Sequence, residues 1–540
     1  MAFNDDEQSA PVANNNGGTT TRPPGITGVP VGQVELTKYH NAEAPLDPND
    51  QEVLLELKGT SSATSRAALD LIAVLDVSTS MAGNKLDRMK AALLFVIRKL
   101  ADVDRLSIVT FSNDAARLCP LRFVAGDAAR ADLGALVDGL AADGNTNIRA
   151  GLEIGLAVAA GRRLTAGRAV NVMLMSDGQQ NRGDATRLDP GGVPVHTFGL
   201  GADHDPAVLQ AIAGKSREGM FHYVADGVNL TAPFSQLLGG LLTIIAQDLE
   251  LTVTRVDGEA AIKKVDAGTY PQAAAADGSS VTVQFGTLYS AEVRRVLVYL
   301  ALEDSTAFPP YDAEVVEAQF RYSLQGATVA SNPDPVSIRR SGSAPEPSEE
   351  APARKPEVET EMARRRHAES IREARSMADG KELERARTRL VEAQNALEDV
   401  LDQANPMVDM LREELLQLLR LMETQEAYER AGRAYAVSSL ASHDRQRFAA
   451  RGDAEGVRLF ATPRMDAYLE QAWRFDEDPG GAALPSAEED VRQEVAANPL
   501  APVAGQIAFY VRSAIQALQA IDKIFASVAA ATSTSTSTST

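Results

Sequence analysis

At 540 residues, with 44% hydrophobic and 24% charged residues, the chain has the composition of a soluble globular protein, and its length implies two to four domains rather than one core. A formal charge of −21, with no strongly basic domain to offset it, argues against nucleic acid as a partner. One cysteine, Cys119, excludes internal disulfides and cysteine-based zinc modules and points to a reducing, cytoplasmic compartment.

Residues 1–27, rich in Asn, Gly, Thr and Pro, are expected to be disordered. They lack the basic and apolar regions of a secretory signal, and no uncharged apolar run in the chain reaches the length of a membrane span. Within 28–65, Val34 to Lys38 and Glu52 to Lys58 read as strands, followed by Gly59 to Ser65 as a linker. Residues 66–247 then alternate strand and helix. The unbroken aliphatic run Leu71 to Leu75 predicts a strand buried on both faces, as in a parallel sheet. Asp76, Ser78 and Ser80 follow it directly, at alternate positions on one tight loop. Oxygen side chains so placed form part of a hard-cation site, suited to Mg²⁺, Mn²⁺ or Ca²⁺ and poorly to Zn²⁺.

Lys85 to Leu100 has helical apolar spacing, and Arg105 to Phe111 is a second buried strand. Ala116 to Val124 contains Pro120 and can only be an edge or bulged strand. Two segments end in further oxygen donors: Asp143 to Ile148, with Thr146, ahead of a helical pattern, and Val170 to Met175, a buried strand running into Ser176, Asp177 and Gly178. Val193 to Gly199 and Met220 to Val224 are later strands, and a last helix is predicted over 230–247. Strands alternating with helices predict a doubly wound, mainly parallel α/β sheet. Gly199-Leu-Gly201 lacks the third glycine and trailing acid of a dinucleotide fingerprint and reads as a tight turn.

Asp76-x-Ser78-x-Ser80, then Thr146, then Asp177 after a later strand, resembles the metal-ion-dependent adhesion site of von Willebrand factor type A domains. The resemblance implies a Rossmann-like domain holding one divalent cation, Mg²⁺ first and Mn²⁺ or Ca²⁺ as alternatives. Ser78, Ser80 and Thr146 would bind through hydroxyls, and Asp76 and Asp177 directly or through water. In that family the remaining position takes an Asp or Glu carboxylate from a protein partner. The alternative from a different class is a metal-assisted hydrolase, which needs a general base beside the metal; His196, His204 and His222 are the candidates in this domain.

From 248 to 330 the pattern switches to period two, predicting an antiparallel β-sandwich. The strands of 28–65 are predicted to join it, which makes the α/β domain an insertion between two of its strands. Residues 331–356 read as a Pro, Ser and Glu-rich linker, 357–475 as a helical domain with dense Arg/Glu charge on solvated faces, and 476–540 as a helical and low-complexity tail, with a helix over 506–529. Arg451-Gly-Asp453 spells an integrin-ligand tripeptide by chance. The whole arrangement, including Thr462 to Asp466, resembles plant intracellular proteins of this family related to RING-type ubiquitin ligases. One cysteine and six histidines cannot build a two-zinc RING, so the resemblance implies an adaptor or RING-less relative. The sequence specifies no oligomeric state, and an oligomerising helical scaffold is a third reading.

Overall fold

The aliphatic run and its neighbours build the central sheet of a computed structural model that describes residues 33–60, 66–342, 354–400, 402, 404–452, 456–479 and 484–497, with isolated positions 511, 518 and 521. Expectations for residues 1–27, for most of the Gly59 to Ser65 linker, for the helix over 506–529 and for the tail beyond it lie outside these. Ala68–Asp76 pairs in parallel with Arg105–Phe111 on one side and with Arg168–Ser176 on the other. Val195–Leu200 and Phe221–Val224 extend the sheet in parallel beyond Arg168–Ser176. Ala115–Phe123, with Pro120, forms the opposite edge, antiparallel and with register shifts. A proline cannot donate to a second ladder, which confines it to such an edge.

Alternate residues of the central strand feed two apolar layers. Leu71, Ala73 and Leu75 pack with Met89, Leu93 and Val96 of helix Asn84–Lys99. Ile72 and Val74 pack with Leu152 and Val158 of helix Ile148–Ala160. Helices therefore cover both faces, the arrangement a parallel sheet needs. The chain runs from Ala68–Asp76 outward to Arg105–Phe111, then returns to Arg168–Ser176 on the other flank. That reversal opens a crevice at the carboxyl ends of the two central strands, and Asp76 and Asp177 stand there. At the opposite end of the strand, Asp70 is buried among Arg105, Arg162 and Arg168, with hydrogen bonds of 2.6–2.9 Å. Burial alone would raise the Asp70 carboxyl; these arginines hold it below its ordinary value.

The remaining strands form two further sheets. Asn49–Gly59 lies between Val34–Tyr39 and Val293–Leu302 in one, and Ile244–Arg255 lies between Ser280–Tyr289 and Tyr311–Leu324 in the other. The chain enters the α/β domain after Gly59 and leaves it at Ile244, where the Ala67 N–H donates to the Ile244 carbonyl at 3.1 Å. Entry and exit thus touch, as an inserted domain requires. Two boundaries differ from those the sequence predicts. The last α/β helix is Thr231–Leu241, not 230–247, because Ile244 and Ile245 belong to the β-strand that follows. The sandwich does not stop at 330: Asp334–Ser341, read as linker, pairs antiparallel with Tyr311–Leu324. Its Pro335 stands opposite Glu317 and lies beyond the three residues that meet Glu43–Pro45, so it has a strand on one side only.

The helical region also departs from its expectation of solvated charge. Helices Pro356–Asp379 and Pro406–Leu421 bury Glu361, Arg364 and Glu414. Between helices Arg433–Arg445 and Pro463–Glu477 the chain lays Arg451–Gly452 against the edge strand Phe221–Val224, in parallel. Helix Pro463–Glu477 packs on helix Thr231–Leu241 so closely that a Cβ on Gly239 would come within 3.1 Å of the Met465 backbone. The helical region is therefore built onto the α/β sheet rather than strung beside it.

Candidate metal centre

Three loops meet at the sheet crevice. The first leaves Asp76 and makes a short 3-10 turn over Thr79–Met81. Gly83, at φ 76°, then turns the chain into helix Asn84–Lys99, a conformation that disfavours residues with a Cβ. The second loop is tied to the first by backbone bonds: the Asp143 N–H donates to the Val77 carbonyl at 2.8 Å and the Thr79 N–H to that of Gly144 at 3.0 Å. The third carries Ser176, Asp177 and Gly178 and is joined to the second where the Asn181 side chain accepts from the Thr146 N–H at 3.2 Å.

Side chains complete the convergence. Asp76 accepts from the Ser78 N–H at 2.8 Å through Oδ1 and from the Ser176 hydroxyl at 2.6 Å through Oδ2. The Ser78 and Ser80 hydroxyls lie 3.0 Å apart, and Ser80 donates to Asp177 Oδ1 at 2.7 Å. The Lys85 ammonium reaches Asp177 Oδ2 at 2.6 Å. Thr146 closes the ring: its Oγ1 stands 3.2 Å, and that of Ser80 3.7 Å, from the point where a Cβ on Gly178 would be. All five residues singled out from the sequence thus share one small volume. Asp76, Ser78, Thr146 and Asp177 are buried, while Ser80 stands at the open rim.

Two buried carboxylates beside three hydroxyls form a donor set suited to a hard divalent cation. The electrostatics agree. Burial pushes the Asp76 carboxyl up to about 6, and Asp177 adds to this, against the bonds from Ser176 and Ser78. A charge held there at neutral pH calls for a cation. Two pairings do not follow from local spacing: Ser176 fixes Asp76, and Lys85 faces Asp177. Nor does the closeness of Gly178 to the Thr146 and Ser80 hydroxyls. A Gly178→Val substitution would push methyl groups into the Thr146 and Ser80 hydroxyls, so it is expected to remove any Mg²⁺-dependent rise in melting temperature, read by thermal shift with and without EDTA.

The three histidines weighed as a general base lie elsewhere. His196 and His222 are buried, the latter stacked on Phe198 at 4.5 Å with its Nδ1 accepting from the Ala450 N–H. His204 bonds the Gly201 carbonyl at 2.8 Å and stacks on Tyr223. Burial lowers all three below the ordinary histidine range, His222 to about 3.

A second cluster, His367, Glu414 and His443, brings three ligand-type atoms within 4.8 Å of one another. Both Nε2 atoms lie 2.7 Å from Glu414 Oε2, while Ser439 and Arg451 hold Oε1. Arg364 Nη1, a permanent donor, stands 3.3 Å from His443 Nδ1, which places the His443 proton on Nε2, facing the carboxylate. That tautomer, with two arginines adjacent, fits a carboxylate satisfied by four donors rather than a metal triad.

Residues 70–236 match the family model of the von Willebrand factor type A domain, and residues 405–474 match a second family described as VWA / Hh protein intein-like. The α/β domain is a von Willebrand factor type A domain, a class of protein-interaction module. It is 29% identical over 294 residues to the uncharacterized protein sll0103 of Synechocystis, covering 51% of this chain and 67% of that one. It is 29% identical over 275 residues to the E3 ubiquitin-protein ligase WAV3 of Arabidopsis thaliana, covering 48% of this chain but only 34% of the relative. A solved von Willebrand factor type A protein from Catenulispora acidiphila superposes with a TM-score of 0.56 at 17% identity, over 71% of this chain and 89% of that one.

Proposed function

We propose that this chain is a non-enzymatic, divalent-metal-dependent protein-binding scaffold. Asp76, Ser78, Ser80, Thr146 and Asp177 would hold one cation, Mg²⁺ before Mn²⁺ or Ca²⁺, and a partner's Asp or Glu carboxylate would complete the coordination. The observation that carries this reading is the meeting of two buried carboxylates and three hydroxyls at the carboxyl ends of the two central strands. Three of the five donors are neutral hydroxyls and the two acids would bind directly or through water, so the ion would keep part of its charge and attract one more anionic oxygen. Helix Ile148–Ala160 begins beside Thr146, and its amino-terminal dipole favours that anion too.

Asp76, Asp177 and the serines orient one another through the hydrogen bonds described, so the cation would supply charge and the protein the geometry. The single cysteine, Cys119, is free and buried, consistent with a cytoplasmic location; among the described residues no helix is long and apolar enough to cross a membrane. The similarity to WAV3 favours a second reading, an adaptor within a ubiquitin-ligase system, compatible with the first.

The test is parallel affinity capture on the immobilised chain in Mg²⁺ and in EDTA, with Asp76→Ala as control. Proteins held by wild type in Mg²⁺ and lost in both other arms are expected. An identical set in all three arms would overturn the reading.

A further inference from the structure

We propose that Lys85 is a built-in counter-cation of the candidate metal centre, and that it sets the centre's affinity for a divalent ion by competing for Asp177. The inference rests on reading Asp76, Ser78, Ser80, Thr146 and Asp177 as the metal-holding set.

Lys85 occupies the first turn of helix Asn84–Lys99. The positive end of the helix dipole lies there and disfavours a cation; Asp87 is the anion that turn already holds. A lysine in that place needs a compensating partner, and its Nζ finds one in Asp177 Oδ2 at 2.6 Å. Ser80 holds the other oxygen of the same carboxylate. Both oxygens of Asp177 are thus engaged by groups of this chain, one of them by a full positive charge.

The two partners differ in freedom. The Asp177 side chain is 0% exposed, whereas that of Lys85 is 33% exposed. The carboxylate cannot move toward water, but the ammonium, a compact and strongly hydrated charge on a flexible stem, can. A place to go lies alongside. Lys85 and Arg88 line a cavity of about 30 Å³ together with Asp226, whose carboxylate is at the exposed rim. A divalent ion drawn to Asp177 repels the ammonium at a few ångströms, so loading the centre and releasing Lys85 are one event. The work of separating Lys85 from Asp177 is then subtracted from every binding of the cation. The centre would load only at free-ion levels above those its oxygen donors alone require.

The experiment is a Mn²⁺ titration of the full chain, with the free ion read by electron paramagnetic resonance, on wild type, Lys85→Met, Lys85→Gln, Lys90→Met and Asp76→Ala. Lys90 lies on the same helix, with its ammonium on the Asp138 carbonyl at 2.8 Å, and serves as a control for net charge. Lys85→Met and Lys85→Gln are expected to bind Mn²⁺ about tenfold more tightly than wild type, with Lys90→Met unchanged. In EDTA the two Lys85 variants are expected to melt lower than wild type, because Asp177 has lost its counter-ion, and to gain more from added Mn²⁺. Asp76-dependent binding that Lys85→Met and Lys85→Gln leave unchanged or weaken would overturn the proposal alone, as would an equal gain in Lys90→Met. Equal Mn²⁺ uptake by wild type and Asp76→Ala would overturn the metal reading of the centre, and the role of Lys85 with it.

Discussion

Replacing Asp76 with alanine is expected to abolish the stabilisation that Mg²⁺ or Mn²⁺ gives the wild-type chain. Asp76 is fully buried, and both of its oxygens are oriented, one by the Ser78 N–H and one by the Ser176 hydroxyl. An ion present at a hundredfold excess over its Kd, and binding only the folded state, stabilises that state by about 2.7 kcal/mol. In the variant this contribution should fall to none. Without metal two effects oppose each other. The Ser176 hydroxyl loses its acceptor, at a cost of about 1–3 kcal/mol, while the penalty of a buried charge disappears. The melting temperature in EDTA should therefore move far less than the metal-dependent shift.

The pH dependence supplies an independent check. The folded carboxyl of Asp76 sits at about 6, above its unfolded value of 3.8. Its contribution to stability is therefore fully present below the unfolded value and is lost as pH rises through about 6. A divalent cation competes with that proton, so the Mg²⁺-dependent thermal shift should be larger at pH 7.5 than at pH 5. Equal shifts in wild type and Asp76→Ala would remove the assignment.

The other large effect is expected at Glu414. Four donors converge on its buried carboxylate, from Arg451, Ser439, His367 and His443. Burial alone would raise it, but Arg451 and His443 hold it well below the usual carboxylate range. Glu414→Ala leaves the Arg451 guanidinium buried without its counter-charge, and breaking such a pair by removing one partner costs about 3–5 kcal/mol. Arg451 belongs to the two-residue strand that the helical region adds to the α/β sheet. The loss should therefore appear as a lower unfolding midpoint together with faster hydrogen exchange in Phe221–Val224. Glu414→Gln, which keeps the shape and loses the charge, should fall between.

Acid should act on the same cluster. Burial lowers His443 to about 4 against the pull of Glu414. The stability contributed by its neutral form is present above the ordinary value of 6.5 and is lost as pH falls through about 4. Glu414, also lowered, works in the same direction at lower pH. A Glu414→Ala chain with the wild-type midpoint would show that the cluster does not join the two regions.

Asp76, Ser78 and Ser80 were legible in the sequence because they fall within five residues of an aliphatic run that can only be a buried strand. Thr146 and Asp177 needed the family resemblance, since nothing local links loops separated by dozens of residues. Lys85 was legible as the start of a helix, and its partner was not, because the Asp177 carboxylate is 92 positions away. The charges of the helical region misled for a related reason. Glu361, Arg364 and Glu414 look solvated in a pattern of alternating acids and bases; Glu361 and Arg364 pair on one helix and Arg364 meets His443 of another, while Glu414 is held by His367, Ser439 and His443 of other helices and by Arg451. The strand Asp334–Ser341 was hidden by Pro333 just before it and Pro335 within it, which composition assigns to a linker.

Periodicity and turn chemistry are local, and they determined which faces are apolar, where the strands of the α/β sheet run and where its first donor loop lies. Which surface covers each face is decided by contacts between distant segments. Only the tertiary structure therefore placed a lysine on Asp177, a serine on Asp76 and a helical region on the edge of the sheet.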